Sequence, residues 1–177
     1  MAKFYSLIFI VFLILNNDIV SAQSLIQPFS FDCDVPPARF SIWAGNLSPG
    51  TQKVTGSIEL LEPRNSDEWL PTAKVLLSGD EDDDYFGLQL YVDRDNPSKI
   101  QVALQSSSQS TKPYVINSIE WKAKPIKFAI FLIDSGKLEV TVNENYGVVL
   151  LPNYKLKRLS LICSTGNFKF TNIMVLP

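Results

Sequence analysis

Apolar and polar residues alternate in short runs along most of the chain, with a period of two residues. In the run from Phe86 to Asp93 every second residue is apolar, and the residues between them are glycine, glutamine, tyrosine and aspartate. Similar alternation recurs in the runs 29–34, 39–47, 53–61, 74–77, 100–104 and 115–121. This pattern is typical of β-strands that bury one face. No segment after residue 22 has the spacing of an amphipathic helix.

The segment 125–150 predicts two strands that fold back on each other. Residues 126–133 are apolar on both faces, which predicts a strand in the interior of a sheet. The small and polar residues 134–137 are typical of a turn. The return strand, 137–143, alternates apolar and polar residues and is therefore expected to be half-buried and antiparallel.

Turn-forming residues predict two strands at each end of the chain. Pro36 and Pro37 are expected to end a first strand, and residues 39–47 form the second, with Trp43 facing away from Phe40 and Ile42. Residues 159–163 and 168–175 predict two final strands around a turn at 164–167. Many short strands joined by hairpins predict an all-β fold, an antiparallel two-sheet β-sandwich.

The last third of the chain carries a more specific pattern. The hairpin ending in Ser135–Asn143 and the closing pattern Gly166-x-Phe168-x-Phe170-x-Asn172-Ile173-x-Val175 resemble the concanavalin A-like and laminin-G-like jelly rolls. The resemblance implies a curved jelly-roll sandwich that often binds glycans, sometimes with calcium. That superfamily also contains hydrolases and lyases. The Glu-x-Asp-x-x-Glu arrangement of its hydrolases is absent from this chain, which weakens the expectation of an enzyme.

The first 22 residues have the features of a signal peptide. Lys3 precedes an apolar run at 7–15, and the small residues 20–22 fit a cleavage site. The apolar run is shorter than the roughly 20 residues that a membrane-spanning helix needs. We therefore expect residues 1–22 to be removed, residues 23–177 to form a single β-sandwich domain without a membrane span, and the protein to be secreted or periplasmic.

The two cysteines are far apart in the sequence but lie in the first and last predicted strands. An oxidising destination favours a disulfide between Cys33 and Cys163. The alternative is two buried free thiols that only contribute to packing.

The chain contains no histidine. Ser-His and Cys-His catalysis, and zinc sites that depend on histidine, are therefore excluded. Carboxylate catalysis of glycoside hydrolysis stays open, but the outward-facing Glu59 and Glu139 are isolated in their strands. The formal net charge of −2 also argues against a nucleic-acid partner, which usually requires a basic face.

The most acidic segment runs from Asp80 to Asp84. Closely spaced carboxylates repel one another, and either a bound divalent cation or solvation relieves the repulsion. Asp80, Asp82 and Asp84 are therefore candidate calcium ligands, although the spacing matches no EF-hand. The alternative is a solvated loop without a metal.

Strand parity predicts a polar platform that contains aromatic rings. Exposed aromatic rings stack on sugar rings, and glutamine amides match sugar hydroxyls as donors and acceptors. The residues assigned to the outer face on this basis are Trp43, Gln89, Tyr91, Gln101 and Gln105. Trp69 and Trp121 are expected in the core instead. The alternative is that the platform is covered by a loop or is simply a polar outer sheet.

These observations predict a non-catalytic protein that binds a carbohydrate or a cell-surface protein. Two alternatives stay open. One is a histidine-free glycoside hydrolase or polysaccharide lyase of the same fold, and the other is a structural or adhesion subunit that packs its outer sheet on a second chain.

Overall fold

Ten β-strands and no helix make up the described part of the chain. The computed structural model describes residues 27–79, 85–107, 113–121, 124–133, 137–143, 145–150 and 156–177. The strands are β1 (Phe29–Asn46), β2 (Lys53–Pro63), β3 (Thr72–Ser78), β4 (Tyr85–Val92), β5 (Lys99–Ser106), β6 (Tyr114–Glu120), β7 (Ile126–Ile133), β8 (Lys137–Val142), β9 (Asn145–Leu150) and β10 (Arg158–Leu176). No helix in these ranges is long and apolar enough to span a membrane. The predicted all-β class is confirmed.

The first and last strands run through both sheets of a sandwich. Along one edge, β10 pairs with β3 through residues 158–164 and with β2 through residues 166–176. Along its other edge, β10 pairs with β1 over almost its whole length. The first sheet therefore has the order β1-β10-β3-β4-β5-β6, and the second sheet has the order β1-β10-β2-β7-β8-β9. All pairings are antiparallel, as predicted.

Both long strands change sheet where the backbone enters the left-handed region. The crossing residues are Ala38, with φ 55°, and Thr165, with φ 54°. At this point four residues of β1 lie opposite one residue of β10, so the ladder is interrupted without ending. Proline has no backbone N–H, but inside such an irregularity no hydrogen bond between the strands is lost. The predicted strand ends at Pro36-Pro37 and at the 164–167 turn are therefore wrong.

The hairpin predicted in 125–150 is confirmed, with one strand added. β7 lies between β2 and β8 in the second sheet, which is the predicted interior position. Its turn residues 134–136 lie outside the described residues. Residues 145–150 form a separate strand, β9, which pairs with β8 and ends the second sheet.

Alternate residues from both sheets fill the space between them. On β10, Leu159 and Leu161 point inward from the first sheet, and Phe168 and Phe170 point inward from the second. Their exposed fractions are 2% or less. Most polar residues of β10 consequently face outward, and Thr165 at the crossing is a buried exception.

A disulfide joins the two sheets beside the crossing. Cys33 lies in the part of β1 that belongs to the second sheet, and Cys163 lies in the part of β10 that belongs to the first. Their Cα atoms are 6.3 Å apart and the sulfurs are bonded. The predicted disulfide is confirmed.

Candidate functional site

Outward side chains of β3, β4 and β5 form a polar surface on the first sheet. These positions alternate with buried apolar residues, so packing of the strands determines where each polar side chain lies. In the register, Lys74 lies opposite Gln89 and Tyr91 lies opposite Gln101. We name this surface the amide face and define it by Lys74, Tyr85, Gln89, Tyr91, Gln101 and Gln105.

A chain of hydrogen bonds crosses the amide face from β3 to β5 and back to β4. Lys74 Nζ donates to Gln105 Oε1 at 3.2 Å. Gln105 Nε2 in turn donates to the hydroxyl oxygen of Tyr85 at 3.2 Å. Both ends of the Gln105 amide are therefore held, and the ammonium of Lys74 is oriented over the sheet.

The other end of the face is organised around Asp93. Gln101 Nε2 donates to Asp93 Oδ2 at 2.5 Å. This bond is the main cause of the lowered pKa of Asp93, and the backbone N–H of Asp95 contributes next. Burial, followed by the charge of Asp93, raises the pKa of the neighbouring Tyr91 hydroxyl. Tyr91 therefore stays neutral and can donate a hydrogen bond.

Two groups at the centre of the face are incompletely satisfied. Gln89 Oε1 is buried and has no hydrogen-bond partner. Among the described residues no carboxylate forms an ion pair with Lys74, and burial lowers the pKa of its ammonium. Buried polar groups usually have partners, so both groups are incompletely satisfied by the described part of the protein.

An apolar floor lies next to these groups. The Leu76 side chain covers Gly87, where an added Cβ would also lie 2.9 Å from the backbone oxygen of Val75. Gly87 in turn lies opposite Gln105 on β5. The face thus combines amides and hydroxyls with apolar surface, and sugar rings likewise present both hydroxyls and apolar C–H groups.

Comparisons with solved structures place this architecture among known folds. The chain is similar to an alginate lyase from Alteromonas sp.272, with TM-score 0.57 and 7% identity over 82% of this chain and 86% of that chain. It is also similar to the Bacillus licheniformis beta-glucanase, with TM-score 0.53 and 6% identity over 84% and 78% of the two chains. A lichenase derived from a mouse hindgut metagenome matches with TM-score 0.53 and 8% identity over 85% and 80%.

The chain has a concanavalin A-like jelly-roll fold. The fold expected from the resemblance of the last third is thus confirmed. No protein-family model and no curated protein matches the sequence. Because the identities are this low, the structural likeness establishes the fold alone.

Within the jelly roll, four of the five predicted platform residues lie together. Gln89, Tyr91, Gln101 and Gln105 are all outward on β4 and β5, as strand parity predicted. Their role in binding stays a prediction.

Trp43 does not belong to this surface, and its predicted placement is wrong. Its ring packs against the core and lies 4.5 Å from the ring of Phe29, centroid to centroid. Phe40 and Ile42 are the exposed residues of this segment, at 58% and 52%. The parity was inverted because both faces of this edge strand carry large apolar residues, so that hydrophobicity alone does not identify the inner face.

An exposed aromatic pair on the same sheet was not predicted. The Phe40 and Trp69 rings lie 6.0 Å apart, and Trp69 is 39% exposed rather than in the core. Trp121, by contrast, packs against the core as expected, and its Nε1 donates to the Pro97 oxygen at 3.1 Å.

Lys74 and Tyr85 also escaped the sequence analysis. The signal for Lys74 was available, since it alternates with the apolar Ala73 and Val75 and must therefore face outward. Its hydrogen bond to Gln105 joins residues 31 positions apart and depends on strand order, which local pattern does not reveal.

The candidate metal ligands Asp80, Asp82 and Asp84 lie outside the described residues. Within the part of the chain that the structure describes, no group of three acidic, cysteine or histidine residues could hold a metal ion. Calcium binding by the acidic segment stays a prediction.

Proposed function

We propose that this protein is exported and binds a carbohydrate on the amide face without changing it chemically. The observation that carries the proposal is the outward arrangement of Gln89, Tyr91, Gln101 and Gln105 on β4 and β5, a preformed surface of amides and hydroxyls. The glutamine amides of this surface offer both donors and acceptors to sugar hydroxyls. The ligand would be a polysaccharide or a cell-surface glycan.

The fold neighbours and the disulfide support this proposal. The names of the neighbouring structures describe a beta-glucanase, a lichenase and an alginate lyase, all of which act on polysaccharides. A disulfide between Cys33 and Cys163 is typical of proteins outside the reducing cytosol, in agreement with the predicted signal peptide.

The residues of the face favour binding over hydrolysis. Glycosidases of the common type place two carboxylates on either side of the scissile bond. The outward residues described on β3, β4 and β5 include no aspartate or glutamate between the strand ends.

A polysaccharide lyase is the second candidate, and Lys74 is the observation that favours it. Burial lowers the pKa of this ammonium, and Gln105 links it to the Tyr85 hydroxyl. Lysine and tyrosine both serve as proton-transfer groups in enzymes. Elimination would remove a proton next to the uronate carboxyl group and expel the glycosidic oxygen, which leaves an unsaturated sugar.

The experiment that tests the proposal measures retention of the mature protein in gels that contain neutral or acidic polysaccharides. Gln89→Ala should weaken binding by about 2- to 10-fold, the value of one neutral hydrogen bond. Gln52→Ala, an exposed glutamine between β1 and β2, is the matched control and should bind as wild type does. Failure to bind any polysaccharide, or an equal loss in both variants, would overturn the proposal. Recovery of unsaturated shortened chains would replace it with the lyase.

A further inference from the structure

Among the described residues, the strand neighbours of Lys74 are neutral. The outward residues that flank it along β3 are Thr72 and Leu76. Across the strands it lies opposite Ile162 on β10 and Gln89 on β4. None of these side chains carries a charge, so none of them compensates the ammonium.

The hydrogen bond to Gln105 orients the ammonium but does not neutralise it. An ammonium has three N–H donors, and the Gln105 oxygen accepts one of them at 3.2 Å. The remaining donors are available to a ligand above the sheet. Partial burial disfavours the charged form of the group, because it removes water that would otherwise solvate the ammonium. A negatively charged partner would compensate for this loss of solvation.

We propose that the ligand of the amide face is an anionic polysaccharide, and that Lys74 binds its carboxylate or sulfate oxygens at the centre of the face. This inference rests on the carbohydrate-binding function proposed above and adds the charge class of the ligand. The ammonium would take the anionic oxygen, while the glutamine amides of the face would exchange hydrogen bonds with hydroxyls of the sugar ring. An anionic group on the sugar would thus compensate the charge of Lys74.

Lysine does not distinguish a carboxylate from a sulfate by geometry. Its ammonium acts as a point charge, whereas arginine would select for planar bidentate groups. A uronate carboxylate and a sulfate ester are therefore two sources of the same chemistry, and the experiment must distinguish them.

The experiment compares four defined ligands by calorimetry or affinity electrophoresis at constant ionic strength. Polygalacturonate presents carboxylates, carrageenan presents sulfate esters, and carboxyl-reduced polygalacturonate and laminarin are neutral. We expect binding to at least one of the two anionic polymers, and weaker binding to the carboxyl-reduced chain than to its parent. Binding to polygalacturonate alone identifies a carboxylate ligand, and binding to carrageenan alone identifies a sulfate ester.

Variants test whether Lys74 is the residue that recognises the negative charge of the ligand. Lys74→Met should weaken anionic binding by about 10- to 100-fold, the typical value of a charge-assisted hydrogen bond. Lys74→Arg should recover much of the affinity. Lys127→Met removes an exposed lysine from the second sheet and is the matched control, with no expected change. If Lys74→Met fails to fold, Lys74→Gln gives the same comparison.

The outcomes separate this inference from the function on which it rests. Equal affinity for neutral and anionic chains would overturn the inference and leave carbohydrate binding intact. Anionic binding that Lys127→Met reduces as much as Lys74→Met would overturn it as non-specific attraction. Binding to none of the four polymers would overturn both proposals.

Discussion

Each outer face of the sandwich carries a lysine and a tyrosine next to a third residue, which is a neutral glutamine on the first sheet and a glutamate on the second. On the first sheet, Lys74 donates to the neutral amide of Gln105, which donates to Tyr85. On the second sheet, Lys137 Nζ lies 2.8 Å from the carboxylate of Glu139, and the neighbouring Tyr146 hydroxyl also helps to lower the pKa of that carboxylate.

The difference appears in the ionisation of the lysines. The hydrogen bond to Glu139, together with its charge, raises the pKa of Lys137. The same bond is the main cause of the lowered pKa of Glu139. Burial without a carboxylate instead lowers the pKa of Lys74. The trio on the second sheet therefore satisfies its own charges, whereas the trio on the first sheet contains no carboxylate to compensate its cation.

The largest expected effect involves the bond that connects the two sheets. Replacing both Cys33 and Cys163 with alanine should lower the free energy of unfolding by about 4–5 kcal/mol, because the loop of 130 residues is no longer closed in the unfolded chain. Urea denaturation of the variant and of the oxidised wild type measures the difference. An unchanged midpoint would mean that packing alone joins the sheets and that the two faces need no covalent link.

The next effect tests which side chains belong to the outer face of the first sheet. Trp43→Ala should cost about 2–4 kcal/mol, somewhat less than a fully buried tryptophan, because the ring packs on Phe29 and the core. Phe40→Ala on the same strand is the matched control and should cost less than about 1 kcal/mol, since its ring is 58% exposed. A larger loss for Phe40 than for Trp43 would contradict the observed parity.

A smaller effect distinguishes the two lysines by its sign. Lys74→Met should leave the melting temperature unchanged or raise it by up to about 2–4 °C, because it removes a partly buried cation without an acidic partner. Lys137→Met should lower the melting temperature slightly, because it breaks an ion pair that solvent screens. Calorimetric scans of both variants at neutral pH give the comparison, and a clear loss of stability in Lys74→Met would contradict it.

The pH dependence of Lys74 follows from the direction of its shift. Its folded-state pKa is below the ordinary value of 10.5, so the unfolded chain binds more protons between these two values. Wild-type stability should therefore rise relative to Lys74→Met as the pH increases through the folded-state pKa toward 10.5. Both proteins keep Tyr91, so the titration of its hydroxyl largely cancels in the difference.

Local alternation was sufficient to predict most of the amide face, but not the ends of the chain. Gln89, Tyr91, Gln101 and Gln105 lie in strands whose other face is apolar apart from Ser106, so their outward direction could be read from the sequence. In β1 apolar residues occupy both faces. The inner face is the one that carries Trp43, whose ring contacts Phe29, 14 residues earlier in the chain.

The long strands and the Lys74 network could not be predicted for a related reason. Proline pairs and small polar residues usually end strands. Here β1 and β10 continue through Ala38 and Thr165, because the two strands pair with each other on both sides of the crossing. Likewise, the order of β3, β4 and β5 determines that Gln105 is the hydrogen-bond partner of Lys74. Both features depend on which strands become neighbours, and this is a property of the whole fold.

The central claim is that a glycan binds to the amide face and not to the face of the second sheet. Titration of the ¹⁵N-labelled mature protein with oligogalacturonate, followed through the glutamine side-chain amide resonances, tests it directly. We predict shifts for Gln89, Gln101 and Gln105, together with the backbone amides of β4 and β5, and no shift for Gln52. Shifts confined to β8 and β9, or none with any anionic or neutral oligosaccharide, would contradict the account.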